Sequence, residues 1–524
     1  YFIVFIISIL AFSNTFNADF VYDDSQAIVT NPVVNGDLQL SEVWRLDFWG
    51  HPMSRGSHKS YRPLTTLSFR INAAFFGMKP YSFHVVNVLL HAVVSCLVLL
   101  FIRRFDFFPR STDAPLLTSL FFAVHPIHCE AVAGIVGRAD VLAAMVVLIG
   151  ILLHDSYEVS ENDIQDTFQN NFAKENFNCD ISDNFQSPSD IVRSVYYLLF
   201  VFISISMIRH AINEFETPRF SKSDNPVAHH PSLMVRTLTF LYLPLFHLKL
   251  MMYPKFLSFD WSMDSIPLVT SPTDSRFIIS LALYSCAMLT CSILLQHSGT
   301  YEKLRLLYAA TMLILPFIPA SNLFYYVGFV AAERTLYLPS VGYCILVGML
   351  YNFCCLRYNR ALMVSLGITV LILHTTRTYK RNMDWRDEES LYKSALKLNP
   401  PKAYSNLGRV YASQMRFDEA EAAYKSAIHY RPNMADTWYN LGVLYQEKKM
   451  SNKSIECYEI SIGIRKTFAV AYLNLGIVYE EIGDRQRSMS IWQACADIDG
   501  SMIKAQREHQ NAQTSCRFRL GKML

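Results

Sequence analysis

The stretch Tyr404-Ser-Asn-Leu-Gly-Arg-Val-Tyr411 recurs as Trp438-Tyr-Asn-Leu-Gly-Val-Leu-Tyr445 and again as Tyr472-Leu-Asn-Leu-Gly-Ile-Val-Tyr479, at a spacing of 34 residues. A period of this length indicates a helix hairpin that stacks on its neighbours to bury a continuous core. In each copy the Leu-Gly pair lets two helices approach closely, and the aromatic residues fill the groove against the next unit. Such an array is a docking surface rather than an active site.

The spacing and the residue types are those of tetratricopeptide (TPR) repeats. The three copies predict full repeats, preceded by a half repeat and followed by a capping helix or tail. The predicted units are 385–400 for the half repeat, 401–434, 435–468 and 469–502 for the full repeats, and 503–524 for the cap.

The residues upstream of the repeats read as membrane protein. The chain is 52% hydrophobic and 14% aromatic, which is too apolar for a purely soluble protein. Apolar runs long enough to cross a bilayer, together with a truncated first helix at Tyr1–Phe12, predict about 9–11 passes within residues 1–380. The predicted fold is therefore all-α, a polytopic membrane helical bundle followed by a TPR α-solenoid. The longer runs lie at 82–102, 116–154, 191–212, 234–253, 276–296, 304–320, 336–353 and 361–375.

Two loops are too long to be simple connectors. The loop at 14–81 is rich in Asp, His, Arg and Trp, so it is a candidate functional loop. The segment at 155–190 is acidic, Asn-rich and without periodicity, which is typical of a disordered insert. Because Arg103 and Arg104 closely follow the second span, the positive-inside rule puts them in the cytosol and the 14–81 loop in the lumen or outside.

Charge and cysteine usage exclude several classes. The net charge of +3 comes without a basic arm or an RNA-binding motif, so we expect no nucleic-acid partner. The eleven cysteines lie mainly in apolar stretches, with no CxxC pair and no metal-ligand spacing. We interpret them as small buried hydrophobic residues.

Asp23 and Asp24 follow the first apolar run and place two carboxylates at a membrane surface. A glycosyl donor on a lipid carrier would present its phosphate and sugar there, and a carboxylate could take the proton from an attacking hydroxyl. The alternative is that one of the two aspartates caps a helix starting near Ser25. The sequence does not distinguish which aspartate would be the base.

Cations in the same loop suit a phosphate better than a metal. These are His58, Arg62 and Arg70, which could equally be interfacial anchors. His84, Asn87 and His91 share one face of the next helix, and a polar stripe within a span usually faces the bundle interior.

Further ionisable residues interrupt apolar sequence. Such groups cost several kcal/mol at membrane depth unless they are paired, so we expect a functional or intramolecular partner for each. Zinc is the weaker interpretation near Glu130, because no third ligand stands at helical spacing. We predict these ionisable residues as substrate contacts, together with His84, His91 and the three loop cations. The residues are Glu130, Arg138, Asp140, Glu333 and Arg334.

Together these residues resemble the TPR-containing transmembrane O-mannosyltransferases that target cadherins. The residues 220–269 also look like that family's central domain, and the resemblance covers most of the chain. The matching strings are DFVYDDSQAIVTN at 19–31, SHKSYRPL at 57–64, HVVNVLLH at 84–91 and ERTLYLPSVG at 333–342.

The resemblance implies an endoplasmic reticulum membrane enzyme of the GT-C glycosyltransferase type. It would move mannose from dolichyl-phosphate mannose to Ser or Thr of client proteins such as cadherins, with the TPR array in the lumen. The family's acidic motif falls on Asp23 and Asp24, with no metal and no other cofactor, and His58, Arg62 and Arg138 would lie near the donor phosphate. Arg334 is a further candidate. A luminal array also makes Asn452, in the turn of the second repeat, a glycosylation acceptor.

One departure from the family favours a different class. The family's Ser-Lys-Glu motif is not found between Asp140 and Phe220, where only Lys174-Glu175 appears, inside the acidic insert. The alternative hypothesis is a non-catalytic membrane scaffold whose TPR groove recruits protein partners. A transporter is disfavoured, because the sequence lacks the duplicated halves expected of one.

Overall fold

The computed structural model of the chain describes residues 1–53, 59–109, 111, 113–154, 207, 211, 220–297, 299–323, 326–498 and 507–523. All regular structure in these ranges is helical, apart from one isolated bridge between Leu46 and Pro52. The prediction of an all-α chain is confirmed.

Seven helices of the described residues are long and apolar enough to cross a membrane. The run predicted at 191–212 and the insert predicted at 155–190 lie outside the described residues, apart from Met207 and Ala211. The membrane half consists of α1 Phe2–Phe12, α2 Pro63–Phe76, α3 Pro80–Arg104, α4 Ala114–Ala123, α5 Ile135–His154, α6 Leu233–Met252, α7 Ser275–His297, α8 Thr300–Ile314, α9 Pro339–Arg357 and α10 Arg360–Asp384.

The apolar run predicted at 116–154 divides into two longer helices, with short helical turns at Pro126–His128 and Cys129–Val132 between them. Helix α4 ends at Ala123, and α5 begins at Ile135. Pro126 lacks a backbone donor and disfavours helix in the residue before it. The segment between the two helices is buried, and it carries Glu130 to the end of the bundle where the polar loops meet.

The core of the membrane half forms where α1 packs on α3 and α4, and where α9 packs on α4 and α8. The outward faces of α7 and α10 instead expose large apolar side chains such as Met288 and Leu373. An exposed apolar belt of this kind is stable in contact with lipid rather than water.

The C-terminal half is a stack of antiparallel helices in which each helix packs on the next. Close approach is required at Gly442, because an added Cβ would lie 2.7 Å from the Tyr458 ring. The helices are α11 Glu388–Ser394, α12 Pro400–Ser413, α13 Phe417–Tyr430, α14 Ala435–Glu447, α15 Ser451–Ile464, α16 Ala469–Glu481, α17 Arg485–Ala496 and α18 Arg507–Met523.

Two expectations about this half need correction. Asn452 lies in the first turn of α15 rather than in the preceding turn, with an exposed side chain. Cys495 of α17 and Cys516 of α18 form a disulfide, so they are not simply buried hydrophobic residues. A separation of 21 residues carries no motif, and only the packing of α18 onto α17 brings the two cysteines together.

The loop after α1, the segments after α6 and α8, and the start of the repeats all meet at one end of the bundle. Asp19 N donates to Arg386 O at 2.9 Å, which joins the first loop to the residues between α10 and α11. Arg377 of α10 donates to Pro254 O at 3.0 Å, just beyond α6. The candidate site lies where these segments converge.

Candidate functional site

The first loop is held in shape by polar caps. Asn31 Oδ1 accepts two backbone hydrogen bonds from a short helical turn, and its Nδ2 donates to Phe48 O at 3.2 Å. Asp47 Oδ1 accepts two further backbone hydrogen bonds within its own turn. The Arg62 guanidinium lies 4.9 Å from the centroid of the Phe48 ring. The loop is therefore an ordered platform that carries both the acidic pair and Arg62.

The two adjacent aspartates have different surroundings. Asp24 is 1% exposed, and its two oxygens accept hydrogen bonds from Val21 N at 3.1 Å and Val136 N at 3.0 Å. The side chain of Asp23 keeps 26% of its surface exposed. Asp24 therefore ties the loop to the start of α5, while Asp23 is the carboxylate that a substrate can reach.

Arg334 is the cation that faces Asp23. Its Nη1 lies 3.5 Å from Asp23 Oδ2, and its Nε lies 3.7 Å from Glu130 Oε1. Its backbone N donates to Glu130 Oε2 at 3.0 Å. The Glu130 carboxylate therefore holds both the backbone and the guanidinium of Arg334. Asp140 also interacts electrostatically with Arg334 and with Arg62. The polar residues predicted from distant parts of the sequence thus form one cluster around Arg334.

Glu333 points away from Arg334 and has a separate structural role. Its Oε1 accepts hydrogen bonds from Ser258 N at 2.6 Å and from Trp261 Nε1 at 3.2 Å. Its Oε2 lies 4.0 Å from Arg381 Nη2, and both side chains are buried. Glu333 therefore fixes the segment after α6 against the site, although the sequence predicted it as a substrate contact.

Asp260 lies on that segment and belongs to the site, although the sequence did not single it out. Its Oδ2 accepts hydrogen bonds from Tyr22 OH at 2.8 Å and from Lys402 Nζ at 2.5 Å. Asp260 lies in the 220–269 stretch that resembles the family's central domain, but nothing in that stretch marked it as a residue with a chemical role. Lys402 follows two prolines at the start of an ordinary repeat, so nothing local marks it either.

Burial and the neighbouring cations shift the pKa values of the carboxyl groups in this cluster in opposite directions. Burial raises the pKa of Asp23 above its ordinary value, while Arg334 and Lys402 act to lower it. Burial raises the pKa of Asp24 to about 7, although the hydrogen bonds that it accepts from Val21 N and Val136 N act to lower it. Burial also raises the pKa of Glu130, with Arg334 opposing the rise. A raised pKa makes a carboxylate a better proton acceptor near neutral pH.

Arg138 is not where the resemblance placed it. It is fully buried on the bundle interior, and it donates to Asn87 Oδ1 at 2.6 Å, Asn72 Oδ1 at 3.1 Å and Phe83 O at 3.0 Å. The asparagines of α2 and α3 thus engage the donors of this guanidinium, so we assign Arg138 to joining helices rather than to a donor phosphate.

The two histidines of α3 face the bundle interior, as their spacing predicted, but their rings also serve packing. His91 is hydrogen-bonded to Tyr337 OH at 2.7 Å and to Ala123 O at 2.9 Å. His84 Nε2 lies 3.4 Å from Asp19 O. Both side chains are fully buried, so the structure favours a packing role for these histidines over contact with a substrate.

The remaining loop cations divide. Arg70 donates to Val34 O at 3.4 Å and so joins α2 to the first loop. His58 lies outside the described residues. Arg62 is the loop cation that shares an electrostatic neighbour, Asp140, with Arg334.

The arrangement brings together the two parts needed to move a proton and hold an anion. A partly exposed carboxylate can accept the proton of a hydroxyl, and neighbouring guanidinium groups can bind phosphate oxygens. Both occur at one end of an apolar bundle, where a lipid-linked phosphate could be reached from the membrane.

Comparison with known proteins agrees with this organisation. A family model described as "Protein O-mannosyl-transferase TMTC, DUF1736" matches residues 214–288. Two repeat models, "TPR repeat" and "Tetratricopeptide repeat", match residues 408–449 and 435–468. The first match covers α6 and most of α7, and the others cover parts of the helix stack.

Relatives align with nearly the whole chain. Mouse protein O-mannosyl-transferase TMTC2 is 40% identical, and the alignment covers 97% of this chain and 72% of the mouse protein. Human TMTC2 is 39% identical with the same coverage, and Drosophila Tmtc1 is 37% identical over 98% of this chain and 71% of the fly protein. With this identity across both the membrane half and the repeats, the chain belongs to the TMTC family of protein O-mannosyl-transferases.

Proposed function

We propose that the chain is a protein O-mannosyltransferase of the endoplasmic reticulum membrane. It moves mannose from dolichyl-phosphate mannose to a Ser or Thr hydroxyl of a client protein, with cadherins as the client class. The observation that carries this proposal is the pairing of the partly exposed Asp23 with Arg334 at 3.5 Å, at the polar end of the membrane bundle.

In the proposed reaction Asp23 is the general base. Its carboxylate accepts the proton of the client hydroxyl while that oxygen attacks the anomeric carbon of mannose. The bond between this carbon and the phosphate oxygen breaks, and dolichyl phosphate leaves with the electron pair. The configuration at the sugar inverts in this single displacement.

Arg334 and Arg62 provide charge for the departing phosphate. Arg334 interacts electrostatically with several acids, Glu130, Asp23 and Asp140 among them, which hold the guanidinium charged and directed into the cluster. A fixed guanidinium stabilises charge that develops on a leaving phosphate more effectively than mobile water does. Glu130 contributes by fixing both the backbone and the side chain of Arg334.

The luminal location rests on three observations. Asp19 and Tyr22 of the first loop contact Arg386 and Lys402 at the start of the repeats, so the loop and the repeats share one side of the membrane. The basic residues Arg103 and Arg104 end α3 at its other terminus, and such residues favour the cytosol. The disulfide between Cys495 and Cys516 is of the kind that forms in oxidising compartments.

The test is mannose transfer by the purified full chain in lipid. Wild type is given dolichyl-phosphate mannose labelled in the sugar and an extracellular cadherin fragment, and label on the fragment is measured with time. Asp23→Asn is the matched variant. Transfer by wild type that Asp23→Asn lacks supports the proposal, whereas a wild type that is inert with every mannosyl donor contradicts it.

The scaffold hypothesis remains the second candidate, because the family's Ser-Lys-Glu motif is not found in the sequence. A cavity of about 210 Å³ between α12, α13 and α14 offers a place for a partner side chain, and Arg409 and Asn440 are among its lining residues. A scaffold would bind the client through the repeats and would transfer no label from any donor.

A further inference from the structure

The repeat array contributes a side chain to the cluster around Asp23. Lys402 of α12 lies 2.5 Å from Asp260 Oδ2 and 3.3 Å from Ser262 Oγ. The side chain of Lys402 is 23% exposed and that of Asp260 is 13% exposed, so the ion pair is largely shielded from water. Removing one partner of a shielded pair has a larger effect than breaking an exposed surface pair.

The same carboxylate holds the residue next to the proposed base. Asp260 Oδ2 also accepts the hydrogen bond of Tyr22 OH at 2.8 Å. The Tyr22 ring packs edge-on against Phe259 at 5.0 Å between centroids, and Lys402 Nζ lies 5.9 Å from the Tyr22 centroid. Tyr22 is therefore fixed at its hydroxyl and at its ring.

Tyr22 needs this support because of its backbone. Its φ of +56° lies in the left-handed region, which is unfavourable for a residue with a bulky side chain. Such a conformation persists only where the surrounding contacts determine it. Because Asp23 is the next residue, the conformation of Tyr22 sets the direction in which the Asp23 carboxylate points.

Additional contacts join the segment that carries Asp260 to the repeats. Asn399 Nδ2 donates to Ser262 O at 3.2 Å, and Arg431 Nη1 donates to Asp264 Oδ2 at 3.0 Å. The segment thus lies between the first loop and the first repeat and touches both. Lys402 is the residue of the repeats whose cation is held against the same oxygen as Tyr22 OH.

We propose that Lys402 is a positioning residue of the transfer site: through Asp260 it holds Tyr22 in its left-handed conformation and thereby aims the Asp23 carboxylate. The transfer site is then incomplete without α12, the first helix of the first full repeat. The inference rests on the proposed function for its catalytic consequence, while the structural link between Lys402 and the loop can be measured independently of activity.

The first test measures transfer to a short acceptor peptide by Lys402→Met, which removes the charge but keeps the length of the chain. We expect kcat to fall roughly 10- to 100-fold, because a small misplacement of a catalytic group lowers the rate on this scale. The KM for the peptide should change little. Lys402→Arg should recover most of the loss. The matched control is Lys425→Met, since Lys425 of α13 forms an ion pair with Glu421 at 2.8 Å and its own side chain is 60% exposed.

The pH profile is a second readout that a purely structural role would not move. The groups that act on Asp23 are Arg334, Lys402 and Asp260, with Asp24 and Tyr22 beside it. Removing the Lys402 cation should shift the acid limb of kcat/KM to higher pH. The limb should not move in Lys425→Met.

Hydrogen exchange in the peptide covering residues 19–30 decides the link without reference to activity. We expect faster exchange in Lys402→Met than in wild type, and no change in Lys425→Met or in the distant repeats. Unchanged exchange in Lys402→Met would overturn the proposal. So would equal loss in Lys402→Met and Lys402→Arg with faster exchange throughout the array, because that pattern is loss of folding. If wild type transfers no mannose at all, the proposed function fails while this exchange result still decides the link.

Discussion

Separate substitution of the two adjacent aspartates is the sharpest test of the site. Asp23→Asn and Asp24→Asn each replace one carboxyl group by an amide, one residue apart, and leave the side-chain size nearly unchanged. The structure predicts opposite outcomes, because Asp23 is partly exposed and Asp24 is bonded on both oxygens to the backbone. Asp23→Asn should lose activity, and Asp24→Asn should lose stability first.

The magnitudes follow from these contacts. Loss of general-base assistance costs about 10²–10⁴ in rate, so kcat/KM of Asp23→Asn should fall by that factor. Arg334, which lies 3.5 Å from Asp23, keeps its ion pair with Glu130 in this variant, so the free energy of unfolding should change little. In Asp24→Asn the amide can accept only one of the two backbone hydrogen bonds. A buried donor left without an acceptor costs about 1–3 kcal/mol.

The assay combines initial rates of mannose transfer with thermal unfolding of each purified variant in the same detergent. The expected pattern is a slow, stable Asp23→Asn and a less stable Asp24→Asn. Wild-type turnover in Asp23→Asn, together with an inert but fully stable Asp24→Asn, would reverse the assignment. Wild-type turnover in both variants and in the double variant would place the base elsewhere.

The pH dependence gives an independent check on Asp24. Its folded pKa of about 7 is above its ordinary value, so the folded protein holds a proton that the unfolded chain releases. The free energy of unfolding contributed by this group is therefore fully present below the ordinary aspartate pKa and is lost as the pH rises through about 7. Asp24→Asn should remove this slope, which a series of unfolding curves between pH 4 and pH 8 would measure.

Three further predictions concern the repeats. Gly442→Leu should destabilise the array by about 1–3 kcal/mol, because its side chain would overlap the Tyr458 ring, and thermal unfolding measures this loss. Replacing Cys495 and Cys516 by Ala should cost up to about 3 kcal/mol, the scale expected for a closed loop of about this length, and unfolding with and without reductant measures it. Asn452→Gln should abolish a glycosidase-sensitive mass shift of the chain if the repeats are luminal.

Each of these has its own control. Gly463→Leu, in the same repeat as Gly442, should be tolerated, since an added Cβ meets nothing within 4 Å there. Equal destabilisation by both glycine variants would contradict the overlap argument. For the disulfide, reductant should no longer alter the stability of the double alanine variant. For Asn452, protease digestion of the repeats in sealed microsomes would contradict the luminal location.

The sequence by itself determined the fold class and the local elements. A 34-residue period and long apolar runs are properties of neighbouring residues, since a helix places its side chains by a repeat of 3.6 residues. The same local rule placed His84, Asn87 and His91 on one buried face. Length and residue types, also local properties, made the loop carrying Asp23 and Asp24 a candidate, because many Asp, His, Arg and Trp residues lie there.

Only the tertiary structure decided which of those residues act together. Tyr22 and Asp260 are 238 residues apart in sequence, and Asp260 and Lys402 are 142 apart. The resemblance placed Arg138 near the donor phosphate, but the structure assigns it to helix packing, because Asn87 and Asn72 accept its hydrogen bonds. No local pattern reports such contacts, because they exist only after the membrane bundle, the segment after α6 and the first repeat have packed together.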